Sequence, residues 1–125
     1  MIIPMMKHND IPVFVYGTLM RGQPASDHMT GADFLGNAVL PDHAIYDLGW
    51  YPGVRPCDGE SVQGELYLVS EDMLRSMDRY EGEGFLYLRK LVSVMIDGQT
   101  ENAFVYLYAH EIDESRRMKG RWGDE

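Results

Sequence analysis

Glu81 stands where an amphipathic run ends in Gly82-Glu83-Gly84, with Tyr80 before it and Phe85 after the glycines. Such neighbours take water away from a carboxylate. That disfavours its charged form, raises its pKa and makes it a better base near neutral pH. The same place at a helix C-terminus also suits an ordinary surface acid, and Glu83, between two glycines, reads as the more mobile of the pair. The second stretch with chemical potential is Val13-Phe14-Val15-Tyr16-Gly17-Thr18-Leu19-Met20-Arg21-Gly22. Its β-branched and aromatic start suits a pleated strand. Gly17 and Gly22, without a Cβ, let the loop turn sharply and bring backbone N–H groups close to a ligand. A loop of this kind can hold an anion; the same ten residues also fit a plain strand-to-turn junction.

Other chemistries find less support. His8, His28, His43 and His110 are scattered, and Cys57 has no cysteine or histidine at ligand spacing, so no metal is expected. Cys57, in a stretch rich in Pro and Gly, reads as a bystander rather than a nucleophile. No serine stands in a Gly-x-Ser-x-Gly elbow. Eleven basic against twenty acidic residues leave a net charge of −9, which repels phosphate backbones and anionic membrane surfaces. Nucleic acid and membrane are therefore not expected partners. The local basic run Arg116, Arg117, Lys119 and Arg121 reads as a solvated tail. No apolar run approaches the ~18 residues of a membrane span, and Met1 to Met6 is too short, and lacks a basic start, for a secretory signal. A single cysteine agrees with a reducing compartment, so a cytoplasmic location is expected.

The elements that must hold Glu81 and the loop follow from periodicity. A chain of 125 residues, 45% hydrophobic and 25% charged, has the composition of one globular domain. Residues 1–11 read as a partly ordered leader, 12–110 as the domain and 111–125 as a C-terminal tail. A first strand runs from Pro12 to Tyr16, and Pro24 to Met29 suits a short helix that stops before Gly31. Asp33 to Val39 and His43 to Leu48 read as two strands about a Pro41-Asp42 turn. From Gly49 to Gly59 repeated Gly and Pro predict a long irregular loop, whose Trp50 and Tyr51 either cover a cavity rim or anchor the loop to the core.

Val62, Gly64, Leu66 and Leu68 alternate with Gln63, Glu65 and Tyr67, the pattern of a half-buried strand. Ser70 is a good N-cap, Glu71 and Asp72 favour a first helical turn, and Met73, Leu74, Met77 and Tyr80 form the buried stripe of the helix that delivers Glu81. Leu86 to Ile96 and Thr100 to Tyr108 pair across an Asp97-Gly98 hairpin turn. In the second of these strands both faces are apolar, which belongs in mid-sheet or in a barrel wall.

Tyr16-Gly17-Thr18-Leu19 with Arg21-Gly22-Gln23, then Tyr51-Pro52-Gly53, Val62-x-Gly64-Glu65-x-Tyr67, Asp78-x-Tyr80-Glu81-Gly82 and Tyr87-x-Arg89 together resemble the gamma-glutamylcyclotransferase-like family. The resemblance runs from about Val13 to Tyr108 and is strongest to the compact gamma-glutamylamine cyclotransferase branch. It implies an α+β fold with a small mixed β-barrel core, one main amphipathic helix, short flanking helices and a cavity at one end.

By the same resemblance, Glu81 would be the general acid/base and backbone groups of Tyr16, Gly17, Thr18 and Leu19 would hold the substrate. Tyr108 would line the cavity, while Tyr87 and Arg89 read equally well as structural. The implied partner is a small γ-glutamyl compound that cyclises to 5-oxoproline and releases an amine, without a cofactor. Nothing in the sequence sets an oligomeric state. One rival reading is a non-catalytic module that binds a small carboxylated metabolite. Another is a different amide-cleaving or acyl-transfer enzyme using the same cavity.

Overall fold

In the computed structural model, which describes residues 8–123, strands β1 (Ile11–Val15), β2 (Asp33–Asp47), β3 (Pro52–Val69), β4 (Tyr87–Ile96) and β5 (Gln99–Tyr108) close into a barrel in the order β1-β3-β2-β4-β5. Helix α1 (Glu71–Glu81) connects β3 to β4. Neighbouring strands are antiparallel except where Val13 of β1 meets Phe104 of β5 in parallel and shuts the ring. The α+β class with a barrel core and one main helix is therefore the observed one. Residues 1–7 of the expected leader and 124–125 of the tail lie outside the described residues.

Two apolar layers share the strands. Phe14 and Tyr16, Leu40 and Ile45, Val62 and Leu66, Val94, and Ala103 and Val105 come from all five strands and their ends and fill the barrel interior. Val13, Val15, Tyr67, Val69, Tyr87 and Tyr106 point the other way and pack with Leu74 and Met77 of α1. β5 thus serves both layers, Phe104, Tyr106 and Tyr108 on one side and Ala103, Val105 and Leu107 on the other, as its doubly apolar pattern predicts. Asp97 and Gly98 take φ of 50° and 75°, the positive values a tight hairpin turn requires.

Two expectations about β2 and β3 are corrected. The Pro41-Asp42 turn is a bulge within the continuous strand β2. The register passes from Pro41↔Ser61 to His43↔Pro56, and the Asp42 carboxylate accepts the Gly59 N–H at 3.1 Å. Residues 57–60 of β3 swell outward there, so the chain bends without reversing. The long loop from Gly49 to Gly59 shrinks to the reversal around Gly49 and Trp50, because pairing with β2 overrides the poor strand propensity of Pro and Gly. Pro52 sits at the first strand position, where a missing N–H costs little. The short helix expected before Gly31 is present as a 3₁₀ helix over Ser26–Met29.

The basic run near the C-terminus is not a solvated tail. Ile112 is buried with Ala44 and Tyr46, and the Met118 N–H donates to the Ile45 carbonyl at 2.9 Å. Arg117 pairs with Glu60 and Glu114 and lies over the Tyr46 ring, and Arg121 reaches Glu65. Trp122 packs against both apolar layers. Arg117 and Arg121 thus have anionic partners remote in sequence, and Arg117 an aromatic one, that a local charge pattern does not reveal. Among the described residues no helix is long and apolar enough to cross a membrane.

Candidate active site

A cavity of about 230 Å³ lies at the end of β1. Phe14, Val15, Tyr16, Gly17, Thr18 and Leu19 form one wall, and Tyr51 and Pro52 enter from the β2–β3 reversal. Tyr80 and Glu81 come from the last turn of α1, with Leu86, Tyr87 and Tyr106 from β4, β5 and their approach. The loop and the acid, remote in sequence, thus share one hollow.

Helix α1 delivers Glu81 because both of its ends are defined. Ser70 Oγ accepts the Met73 N–H at 3.2 Å, and Glu71 and Asp72 occupy the first turn. Leu74 and Met77 are buried against the barrel. Gly82 ends the helix with φ 62°, its N–H directed to the Arg79 and Asp78 carbonyls. The last turn is also fastened sideways. Arg89 binds Asp78 through Nε at 2.8 Å and a terminal nitrogen at 3.2 Å, and the Tyr106 hydroxyl donates to Asp78 at 2.7 Å. Tyr80 and Thr18 share a hydroxyl hydrogen bond of 2.8 Å, and His28 lies against the Tyr80 ring at 4.5 Å.

The opposite wall is set by close approach. A Cβ on Gly17 would stand 2.7 Å from Cγ and 2.9 Å from Cδ of Pro52, so glycine is needed there for space. The turn itself places its positive φ at Gly22. Leu19 and Met20 are buried, and the Met20 and Ala25 N–H groups bond the Gly17 and Thr18 carbonyls. Among the described residues no hydrogen bond engages the N–H groups of Gly17, Thr18 or Leu19, which leaves donors for a ligand.

Burial pushes the Glu81 carboxyl up from 4.5 to about 7. It is the one carboxylate among the lining residues, and no Lys or Arg accompanies it. The Tyr16 and Tyr87 phenols beside it stay protonated at neutral pH. Tyr16 donates to the Tyr106 carbonyl at 2.5 Å and Tyr87 to the Pro52 carbonyl at 2.6 Å. Burial first, then charged or ionisable neighbours including Glu81, raises both pKa values well above the ordinary phenol range. A carboxyl that titrates near neutrality beside unspent N–H donors can carry a proton between atoms of a bound molecule while the donors hold its negative charge.

Of the residues singled out in the sequence, Tyr16, Gly17, Thr18, Leu19 and Glu81 meet in the cavity lining. Tyr108 is not among the lining residues. Its ring stands edge-on to Tyr87 at 5.5 Å and to His110 at 5.6 Å, so it backs a wall residue. The β5 period brings Tyr106 to the lining in its stead. Glu83 is exposed and accepts the Arg89 N–H at 3.1 Å. Arg89 serves the helix end, whereas Tyr87 is part of the wall. Tyr51 lines the cavity, one of the two roles read for the pair, whereas Trp50 is 92% exposed and fills neither. Tyr80, read as part of the buried stripe, is instead 41% exposed with its hydroxyl turned to Thr18, and Glu65, read as the polar side of an alternating strand, is buried.

The sequence profile of the family described as gamma-glutamyl cyclotransferase, AIG2-like, matches residues 13–124. The gamma-glutamylcyclotransferase family protein YtfP of Escherichia coli K12 is 33% identical over 113 residues, covering 90% of this chain and 96% of its own. A gamma-glutamylaminecyclotransferase of Mus musculus is 34% identical over 119 residues, covering 78% of this chain and 77% of its own. The crystal structure of an AIG2-like protein from Mus musculus superposes with a TM-score of 0.77 at 32% identity, covering 86% of this chain and 82% of that one.

Proposed function

The chain belongs to the gamma-glutamyl cyclotransferase, AIG2-like family, and from that premise we propose that it releases an amine from a γ-glutamyl amide as 5-oxoproline forms, with Glu81 as general acid/base. The observation that carries this reading is a carboxyl raised to about 7 in the same cavity as the uncommitted N–H groups of Gly17, Thr18 and Leu19.

The reaction needs positioning and proton transfer. Ionised Glu81 takes one proton from the substrate's α-ammonium group. The freed amine attacks its own γ-carbonyl carbon, a C–N bond closes the five-membered ring, and the carbonyl oxygen becomes an oxyanion. N–H donors of the loop hold that charge, an effect of roughly 10²–10³-fold for one good donor. As the carbonyl re-forms, the bond to the old amide nitrogen breaks and Glu81 delivers its proton there. The ring nitrogen gives its surplus proton to the same carboxylate, which passes it to the departing amine. The amine leaves as an ammonium ion and Glu81 is again a carboxylate. Proton transfer of this type contributes roughly 10²–10⁴-fold, and holding the glutamyl chain folded adds the advantage of an intramolecular geometry.

Without a cation in the lining, the substrate's α-carboxylate is held by backbone donors, and the apolar wall of Phe14, Leu86 and Tyr87 takes the methylene chain. The mouse relative's name puts γ-glutamyl amines first in a substrate panel. Purified protein should form the lactam from at least one member of that panel, detected by mass. Release of open-chain glutamate, or binding without product, would replace this reading with one of its rivals.

A further inference from the structure

Glu65 is a buried acid, 1% exposed, that the chemistry above does not use and that is not among the cavity's lining residues. Its two oxygens nonetheless receive four donors. Oε1 accepts the Arg21 backbone N–H at 2.9 Å and the Tyr67 hydroxyl at 3.1 Å, and Oε2 accepts Arg21 Nε at 3.2 Å and Arg121 at 2.9 Å. Two guanidinium groups and two further donors make this a strongly tied anchor in a water-poor setting.

What it ties is the substrate loop. Arg21 lies in the same turn as Gly17, Thr18 and Leu19, directly after Met20, whose N–H closes on the Gly17 carbonyl. Burial of Leu19 and Met20 fixes the loop's middle, and Glu65, itself outside the cavity lining, accepts the next backbone N–H. On its other oxygen the carboxylate grips Arg121, in the C-terminal segment that Trp122 presses onto the barrel.

We propose that Glu65 is a positioning residue, holding the rear limb of the loop so that the N–H groups of Gly17, Thr18 and Leu19 stay directed into the cavity, with Arg121 completing the clamp from the far end of the chain. This rests on the reading of that cavity as the γ-glutamyl site.

Glu65→Gln keeps the side chain's size but turns an amide N–H₂ toward arginine donors. Arg121→Met removes one donor without touching the loop, and it carries the test alone if the first variant does not fold. With a γ-glutamyl amine turned over by the wild type, kcat/KM should fall about tenfold in Glu65→Gln and about threefold in Arg121→Met, the loss shared between KM and kcat because the same N–H groups hold the substrate and the oxyanion. Backbone amide resonances of Gly17, Thr18 and Leu19 should shift in both variants, in the absence of substrate. Unmoved resonances with an unchanged kcat/KM in a folded variant overturn the proposal, as does a fall in kcat with unmoved resonances, which would give Glu65 a part in the chemistry. If the wild type itself forms no lactam, the functional reading fails, while the amide resonances still decide the positioning role.

Discussion

The Tyr80 hydroxyl lies 2.8 Å from that of Thr18, so the residue immediately before Glu81 is bonded to the loop that shares its cavity. This one bond joins the two walls that the sequence leaves far apart. The helix end, pinned by Asp78, Arg89 and Tyr106, cannot drift from the loop without breaking it. The proton carrier proposed for Glu81 needs such fixation, because transfer would require hydrogen-bond distance to both nitrogens in turn.

The acid's raised pKa sets the pH profile. With Glu81 at about 7, kcat/KM for lactam formation should climb with pH and level off above an apparent pKa near 7, since the base form is the carboxylate. Glu81→Gln should keep the fold and lose at least about 10²-fold in kcat. Glu83→Gln should retain wild-type rates, because that side chain is exposed and outside the lining. Steady-state rates from pH 5 to 9 on the three proteins check this; a Glu81→Gln enzyme with normal turnover removes the acid from the mechanism.

The same shift predicts how stability responds. Glu81 is raised above its ordinary value of 4.5 by burial, so the folded protein binds its proton more tightly than the unfolded chain does. Its favourable contribution is complete below pH 4.5 and disappears as pH rises through 7. Glu81→Gln, neutral throughout, should therefore gain thermal stability over the wild type at pH 8 and lose that gain at pH 4. Melting curves at the two pH values decide it, and an equal difference at both would mean that the carboxyl is not desolvated.

How much of this could be read from residues alone depends on whether the cause was local. The Ser70 cap, the Leu74 and Met77 stripe, the Asp97-Gly98 turn and the doubly apolar β5 are local patterns, and all appear where their chemistry puts them. Residues 52–56 were misread because strand pairing with β2, a long-range effect, outweighs Pro and Gly propensity. Glu65 was assigned to a polar face by alternation, although it is buried by cations from Arg21 and Arg121, neither near it in sequence. Tyr108 was placed one strand period too far along β5, since alternation gives the face and not the depth.

Gly17 offers a test of wall geometry. Its missing Cβ would lie 2.7 Å from Cγ and 2.9 Å from Cδ of Pro52, and a proline ring, closed onto the backbone of a paired strand, can retreat only by a change of pucker. Gly17→Ala should then cost about 1–3 kcal/mol through overpacking, and push the two walls apart. Urea unfolding would report the loss, and KM should increase more than kcat falls. Wild-type stability in this variant would show that Pro52 yields freely.

The Asp78 cluster gives the sharpest test of how the fold tunes the acid. Asp78 accepts two bonds from Arg89 and one from the Tyr106 hydroxyl, all in the helical turn that ends at Glu81. Asp78→Asn presents an amide N–H₂ to one of those donors and removes the negative charge opposite the guanidinium. Losing charge-assisted bonds at a partly buried site costs about 1–3 kcal/mol. The end of α1 should then loosen, admit water to Glu81 and let its pKa fall toward 4.5, the ordinary value. The rate profile would report this as an acidic limb displaced below pH 7, together with a lower kcat on the plateau. An unmoved limb in a destabilised protein would mean that the hollow around the carboxyl, and not the tether, keeps water away.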